Sequence, residues 1–296
     1  KLHGKEKFFD ADNKLLGTFE YEEGKPIGKQ WKKHPNGTMA YLAIYDKQGN
    51  LKEPILEFNE KGQKIAEFSV NSEGKYHGSF KQWHENGQIN IDCHYVNGEF
   101  EGEQKQYYPS GQLKFIGNYV SKEKEGEFKE WHENGNLSFQ GTFRAGNKEG
   151  AFNEWYPNGN QKILGNFRGS LFHGKQQEWY ENGRERLTAH YKEGKKEGLV
   201  VIHNESEQVI MEGSFEQDLP ILTHTWYYDD GEKKESISYL KGKKEGKHEE
   251  FYEGGQPRLS EFYKDDLIEG SVVGYYENGA IAYERFFKQG KPAGRH

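Results

Sequence analysis

A glycine-marked repeat constrains this chain more than any other feature of its sequence. Asn-Gly pairs, such as Asn134-Gly135, and a second series of glycines, such as Gly126 and Gly150, recur with a step of 24 residues along most of the chain. Recurrence at a fixed period of this size is typical of a repeat architecture. The sequence therefore predicts one repeat array over residues 1–296, in place of a globule with a single central core.

Each unit of the repeat is predicted to be one β-hairpin. In residues 126–150, Asn134-Gly135 separates two runs of strand-like residues, a strong hairpin signal because a type I′ turn needs positive φ at both central positions. The second strand alternates apolar and polar residues and carries a small residue at Gly141. Glycine in a strand often marks the close approach of a neighbour. We expect a ring from the column of Trp and Tyr residues that contains Trp131 to fill this gap.

The predicted fold class is all-β, an elongated array of about twelve tandem antiparallel hairpins in a twisted single-layer sheet. No segment keeps a 3.6-residue apolar period, so no helix is expected. The array is irregular at residues 50–75, around Pro54, where an inserted residue predicts a bulge or bend. It is also irregular at residues 199–225, where Glu207 and Leu222 replace glycines. That segment is either a longer loop or change of sheet direction, or a partner-binding element.

Composition excludes some classes of function. The net charge is -7, and 41 basic and 48 acidic residues are spread along the chain, so no basic stripe is available for nucleic acid. The single cysteine, Cys93, is expected to be a small buried residue, and it does not indicate a compartment. Membrane contact is possible but not indicated, since no apolar run approaches transmembrane length. The chain starts at Lys1, which leaves open an upstream export signal and either a cytoplasmic or an envelope location.

The sequence contains no recognisable catalytic pattern. It has no phosphate-binding loop, nucleophile elbow or zinc motif. The two Trp-His pairs, at residues 83–84 and 131–132, lie two repeats apart, roughly 20 Å by strand spacing, and cannot share a metal ion. Carboxylates that recur before the turns are expected to solvate them. We therefore predict a protein that is not an enzyme and has no cofactor and no metal site.

The repeat pattern resembles a known family. G-x-x-x-x-W/Y-x-x-N-G, followed by alternating apolar residues, G-x-F/Y and a closing glycine, is complete at residues 126–135 and 150–159 and resembles the MORN repeat. The chain looks most like the bacterial variant in YwqK-family antitoxin-like proteins. The resemblance covers essentially the whole chain, with departures at Trp31, Pro54, Glu207 and Leu222. It implies hairpins of the MORN type, and functions as interaction scaffolds, membrane-associated modules or antitoxin and immunity-like proteins.

We therefore predict a bacterial, non-enzymatic protein-binding module of antitoxin or immunity type, which neutralises a partner toxin or effector encoded nearby. Two alternatives remain: an envelope or surface scaffold that contacts a membrane or host surface, and a carbohydrate-binding protein that uses the aromatic column. The candidate contact residues are tyrosines that follow the packed aromatic residue, expected on the other face, and three residues of the second irregular segment. A cross-strand ladder that stiffens the sheet is an equal alternative for the tyrosines. The candidates are Tyr108, Tyr156, Tyr180, Val201, His203, Leu222, Tyr228, Tyr252 and Tyr276.

Overall fold

The computed structural model describes residues 1–294, which form β-strands and turns without a helix. The same residues accordingly include no helix that could span a bilayer. The chain forms two compact units, the first at Lys1–Asn147 and the second from Lys148 onward. Each unit is an antiparallel succession of six hairpins, which confirms the predicted all-β array of tandem hairpins.

In the first unit, long strands form the hairpins and two-residue strands join one hairpin to the next. The strands are β1 (Gly4–Phe9), β2 (Leu15–Glu22), β3 (Lys25–Pro26), β4 (Gly28–Lys33), β5 (Met39–Tyr45), β6 (Leu51–Phe58), β7 (Lys64–Val70), β8 (Tyr76–Trp83), β9 (Ile89–Val96), β10 (Glu99–Phe100), β11 (Gly102–Tyr107), β12 (Leu113–Val120), β13 (Glu123–Lys124), β14 (Gly126–Trp131) and β15 (Leu137–Arg144).

The second unit follows the same plan, with some of the short strands fused to the long strand that follows. The strands are β16 (Asn147–Trp155), β17 (Gln161–Arg168), β18 (Leu171–Phe172), β19 (Gly174–Trp179), β20 (Glu185–Lys192), β21 (Lys195–Lys196), β22 (Gly198–His203), β23 (Val209–Glu216), β24 (Leu219–Tyr227), β25 (Lys233–Leu240), β26 (Lys243–Phe251), β27 (Pro257–Lys264), β28 (Leu267–Ile268), β29 (Gly270–Tyr275), β30 (Ile281–Lys288) and β31 (Lys291–Pro292).

The hairpin turn differs from the expected type I′ turn. In the β14–β15 hairpin the Gly135 amide donates to the His132 carbonyl at 2.9 Å and the His132 amide donates to the Asn136 carbonyl at 2.8 Å. Only Gly135 of the Asn-Gly pair has a positive φ, +89°. The turn is thus a three-residue loop with glycine in the left-handed position. The Asn134 Oδ1 atom accepts the Asn136 amide at 3.1 Å, which holds Asn134 out of that position.

Two facing columns of side chains hold most of the buried residues of each unit. One lies two residues after the glycines of the second series, the other is the residue paired with it, and in β14 the first is Phe128, which is 1% exposed and pairs with Gly141 across the hairpin. On its other side, Phe128 packs over Gly117 of β12, where an added Cβ would overlap the ring. The gap at Gly117 is therefore filled by the Phe128 ring. The expectation that a Trp or Tyr of the Trp131 column fills it is wrong at Gly117.

The two irregular segments differ from each other in the structure. Between β5 and β6 and between β7 and β8 the register shifts as it does between β23 and β24, and the inserted residues lie in the connecting turns, which are three-residue loops at 46–50 and 71–75. A longer turn between hairpins therefore takes the place of the expected bulge or bend. At residues 199–225 the β22–β23 hairpin keeps the register of its neighbours, so no longer loop is present there. Glu207 and Leu222 instead take the left-handed conformation, with φ of 68° and 60°. This conformation costs a non-glycine residue roughly 1–2 kcal/mol.

Candidate functional site

The tyrosines predicted as contact residues lie at the turn end of the hairpins. Tyr108 is half-buried, and its hydroxyl donates to the Trp131 carbonyl of the next hairpin at 2.7 Å. Tyr276 differs, since 59% of it is exposed. The geometry supports the cross-strand ladder, and a role in partner contact stays a prediction. The same bond is made from Tyr156 to Trp179, Tyr180 to His203, Tyr228 to Phe251 and Tyr252 to Tyr275, at 2.7–2.9 Å.

The three candidates from the second irregular segment lie on two strands that are not adjacent. Val201 and His203 are half-buried in β22, and Leu222 lies in β24, beyond the intervening strand β23. The His203 carbonyl accepts the Tyr180 hydroxyl, and the His203 Nδ1 atom is buried without a hydrogen-bond partner among the described residues. Leu222 is 66% exposed. The structure therefore does not bring these residues together into one site.

A groove in the first unit brings the candidate Tyr108 together with residues that the sequence analysis did not select. Its volume is about 440 Å³. One wall is a stack of rings, in which Phe100 lies 4.7 Å from Tyr95 and 5.4 Å from Tyr119 between ring centroids. Phe100 is 38% exposed, so its ring is open to a bound molecule. The principal lining residues are Tyr95, Phe100, Gln104, Phe115, Tyr119 and Glu130.

Gln104 places a buried acceptor in this groove. The residue is 4% exposed, and its Nε2 atom donates to the His94 carbonyl at 3.2 Å. Its Oε1 atom is buried and has no hydrogen-bond partner within residues 1–294. An unsatisfied buried acceptor of this kind costs roughly 1–3 kcal/mol. An N–H or O–H donor on a bound molecule would recover that free energy.

The electrostatics of the groove favour binding by neutral aromatic groups. Burial, assisted by the charge of Cys93 and a hydrogen bond with it, raises the pKa of Tyr95 to about 12. Burial also raises the pKa of Tyr119. Both phenols are therefore uncharged at neutral pH. Lys105, Lys114 and Glu130 add two positive charges and one negative charge to the lining.

One sequence signal could have located the groove. Gln104 stands two residues after Gly102, at the repeat position occupied by Phe128 and Phe152 in the next two hairpins and by glutamine at Gln30 and Gln176. A polar amide at this buried repeat position is a feature that the columns of Trp and Tyr residues did not expose. The Phe100 ring belongs to a two-residue strand, for which the hairpin pattern gave no prediction.

A cluster of His and carboxylate side chains lies in the second unit. The His248 ring is buried, with Nδ1 2.7 Å from Glu261 Oε1 and Nε2 3.0 Å from Glu235 Oε1. Glu250 Oε1 lies 3.9 Å from the same Nε2 atom. Glu235, His248 and Glu250 together could hold a metal ion. No spacing rule indicated them, because the four residues come from three strands.

Sequence comparison identifies the repeats. A family model described as a MORN repeat variant matches six segments, three adjoining in the first unit, one at its start and two in the second unit. Among curated protein sequences, none matches the chain. The matched segments are residues 2–23, 76–97, 100–121, 124–145, 244–265 and 268–289.

Two solved structures illustrate the matches to this chain. One is the TcdB2-TccC3-Cdc42 complex, at 11% identity and a TM-score of 0.20, with 96% of this chain and 17% of that chain covered. Another is the Photorhabdus luminescens Tc holotoxin pore, at 12% identity and a TM-score of 0.15, with 96% and 18% covered. The chain thus spans less than a fifth of the length of these proteins, and TM-scores of this size do not establish a shared fold.

Proposed function

Because this chain is a MORN repeat protein of the variant type, we propose that it is a non-enzymatic protein-binding module of antitoxin or immunity type. Its binding site is the groove of the first unit. The occupant is a peptide segment of a partner toxin or effector. The observation that carries the proposal is the unsatisfied Oε1 atom of Gln104 in a groove that the exposed Phe100 ring also lines.

The chemistry of the groove fits a peptide. Aromatic side chains are enriched in protein interfaces because they bury a large area at little loss of conformational entropy. A backbone N–H of the partner can donate to Gln104 Oε1 while an apolar side chain next to it packs on Phe100. The net charge of -7 favours a partner with a basic surface, since complementary charge accelerates association.

The test begins with isolation of the tagged chain from its native host and identification of the co-purifying protein. The purified pair is then titrated with three variants of this chain. Phe100→Ala and Gln104→Met are each expected to weaken the Kd by about tenfold, as removal of a central interface contact does. When the chain and its partner are expressed together in a growth assay, both variants should protect the cells from the partner less well than the wild type does.

Gln176→Met is the matched control. Gln176 occupies the same repeat position in the second unit, is 8% exposed and also has a buried Oε1 atom without a partner among the described residues. This variant should bind the partner like the wild type. Equal binding by all three variants would refute the groove as the site. Recovery with membranes and binding to lipid vesicles would favour the envelope scaffold, and retention on a glycan array would favour carbohydrate binding.

A further inference from the structure

We propose that Glu235, His248 and Glu250 in the second unit form a binding site for a divalent transition-metal ion, with Zn²⁺ as the ion that this donor set fits best. Glu261 positions the histidine. The ion would join strands β25 and β26 across their side chains. The site is independent of the groove in the first unit.

The strand register places two carboxylates opposite each other, where a positive charge would stabilise them. Glu235 of β25 and Glu250 of β26 are direct partners in the antiparallel register. Like charges at directly opposed positions destabilise a sheet. Their carboxylates are only partly solvated, with 33% and 28% of the side chains exposed. A cation between them removes this repulsion.

Glu261 fixes the orientation of the His248 ring. The Glu261 side chain is 8% exposed, and its Oε1 atom lies 2.7 Å from His248 Nδ1. An ionised carboxylate only accepts hydrogen bonds, so His248 Nδ1 carries the proton and donates it. Metal-binding histidines commonly have such a carboxylate on the second ring nitrogen.

The remaining ring nitrogen then faces two carboxylate oxygens. His248 Nε2 is 3.0 Å from Glu235 Oε1 and 3.9 Å from Glu250 Oε1. A proton on Nε2 would bond Glu235 but would leave Glu250 beyond hydrogen-bond distance. A zinc ion at about 2.0–2.1 Å from each donor requires tetrahedral donors roughly 3.3 Å apart, between the two observed distances. All three donor atoms lie within 4.8 Å of one another.

The proposed site is accessible to an ion from solvent, and water can supply a fourth ligand. Arg258 Nη1 is 3.5 Å from the Oε2 atom of Glu250, so this cation occupies one oxygen and leaves Oε1 for the metal. The partial exposure of Glu235 and Glu250 admits water as the fourth ligand of a tetrahedral site. The residues of the site also differ from those of the first unit, since His248 and Glu261 occupy the repeat positions of Phe128 and Gly141.

The test uses the full chain after dialysis against a chelator. Calorimetric titration with Zn²⁺ alone should give one ion per chain, and Co²⁺ should give the visible absorption of a tetrahedral site. Glu235→Gln and His248→Gln should abolish both signals. Glu261→Gln should weaken Zn²⁺ binding by about 10–100-fold, as loss of a partner of a metal-binding histidine does.

His224→Gln is the matched control, because His224 holds the same repeat position one hairpin earlier and its Nε2 atom bonds the Ser214 carbonyl at 2.8 Å. It should retain one Zn²⁺ per chain. Glu235→Gln changes a partly exposed residue, and circular dichroism should show that the variant remains folded. No Zn²⁺ binding by the wild type, or equal binding by Glu235→Gln and His248→Gln, would overturn the proposal.

Discussion

The Tyr108 hydroxyl donates a 2.7 Å hydrogen bond to the main-chain carbonyl of Trp131, 23 residues further along the chain. Trp131 ends the first strand of the next hairpin, as Tyr107 ends that of its own. The bond therefore links one hairpin to its successor at the turn end. This bond explains why tyrosine recurs at this repeat position, and the explanation requires no binding partner.

Loss of that bond should destabilise the first unit. We expect Tyr108→Phe to lower the free energy of unfolding by about 1 kcal/mol, because it removes one hydrogen bond and leaves the Trp131 carbonyl without this donor. Urea denaturation followed by fluorescence measures the change. Tyr276→Phe, at a site that is 59% exposed, is the control and should unfold like the wild type. Equal effects of the two substitutions would contradict this account.

A carboxylate links the hairpins at the opposite end. Glu125 Oε2 accepts the main-chain amide of Ala145 at 2.8 Å, 20 residues along the chain. We expect Glu125→Ala to lower the free energy of unfolding by about 1 kcal/mol, since the amide loses an ionised acceptor. Glu133→Ala changes an exposed turn carboxylate and should have little effect in the same urea titration. A larger loss for Glu133→Ala would show that this link is unimportant.

The contact of Gly117 with Phe128 should produce strong coupling between the two positions. Gly117→Ala places a methyl group in the Phe128 ring and is expected to cost about 1–3 kcal/mol. Phe128→Val leaves a cavity and also destabilises. The double variant recreates the pair Ala189 and Val200, which are 0% and 4% exposed at the same repeat positions in the second unit. It should lose less stability than the sum of the single variants in urea denaturation, and strict additivity would argue against the contact.

Tyr95 should make stability sensitive to high pH. Burial is the first cause that raises its pKa from 10.0 to about 12, so the folded state holds the phenol proton more tightly than the unfolded state. The stabilisation is complete below pH 10 and is lost as the pH rises from about 10 to 12, because the unfolded state ionises first. Urea denaturation at several pH values should show this decline, and it should be smaller in Tyr95→Phe. An unchanged slope in that variant would assign the decline to other groups.

The sequence predicts the strands better than it predicts which side chains of successive hairpins pack together. The glycine period and the alternation within strands predict the hairpins, and Cys93 is 4% exposed, as expected for a small buried residue. The turn type was wrong because the Asn134 side chain bonds the main chain locally, which no propensity rule for Asn-Gly includes. The packing of Phe128 on Gly117 depends on the register between successive hairpins. Aromatic columns alone do not determine that register.

The two proposed sites were missed for a related reason. Gln104 matters because its Oε1 atom has no partner among the described residues, which only coordinates can reveal. Glu235, His248 and Glu261 lie on three strands at spacings that match no metal motif. Both sites nonetheless include a polar residue at a buried repeat position, where Phe128 and Gly141 stand in the first unit. Polar residues at these buried positions are therefore more informative than departures from the repeat at turns.

The links from Tyr108 and Glu125 extend to the adjacent hairpin, 23 and 20 residues away. Within a unit, a hairpin consequently depends on its immediate neighbours and little on those further along. Opening of one hairpin can then expose its amides to solvent while others stay protected, and cooperativity spreads only by nearest-neighbour coupling. Evolution can lengthen or shorten such a protein by whole 24-residue modules, whereas the single residues inserted around Pro54 lengthen the turns between hairpins.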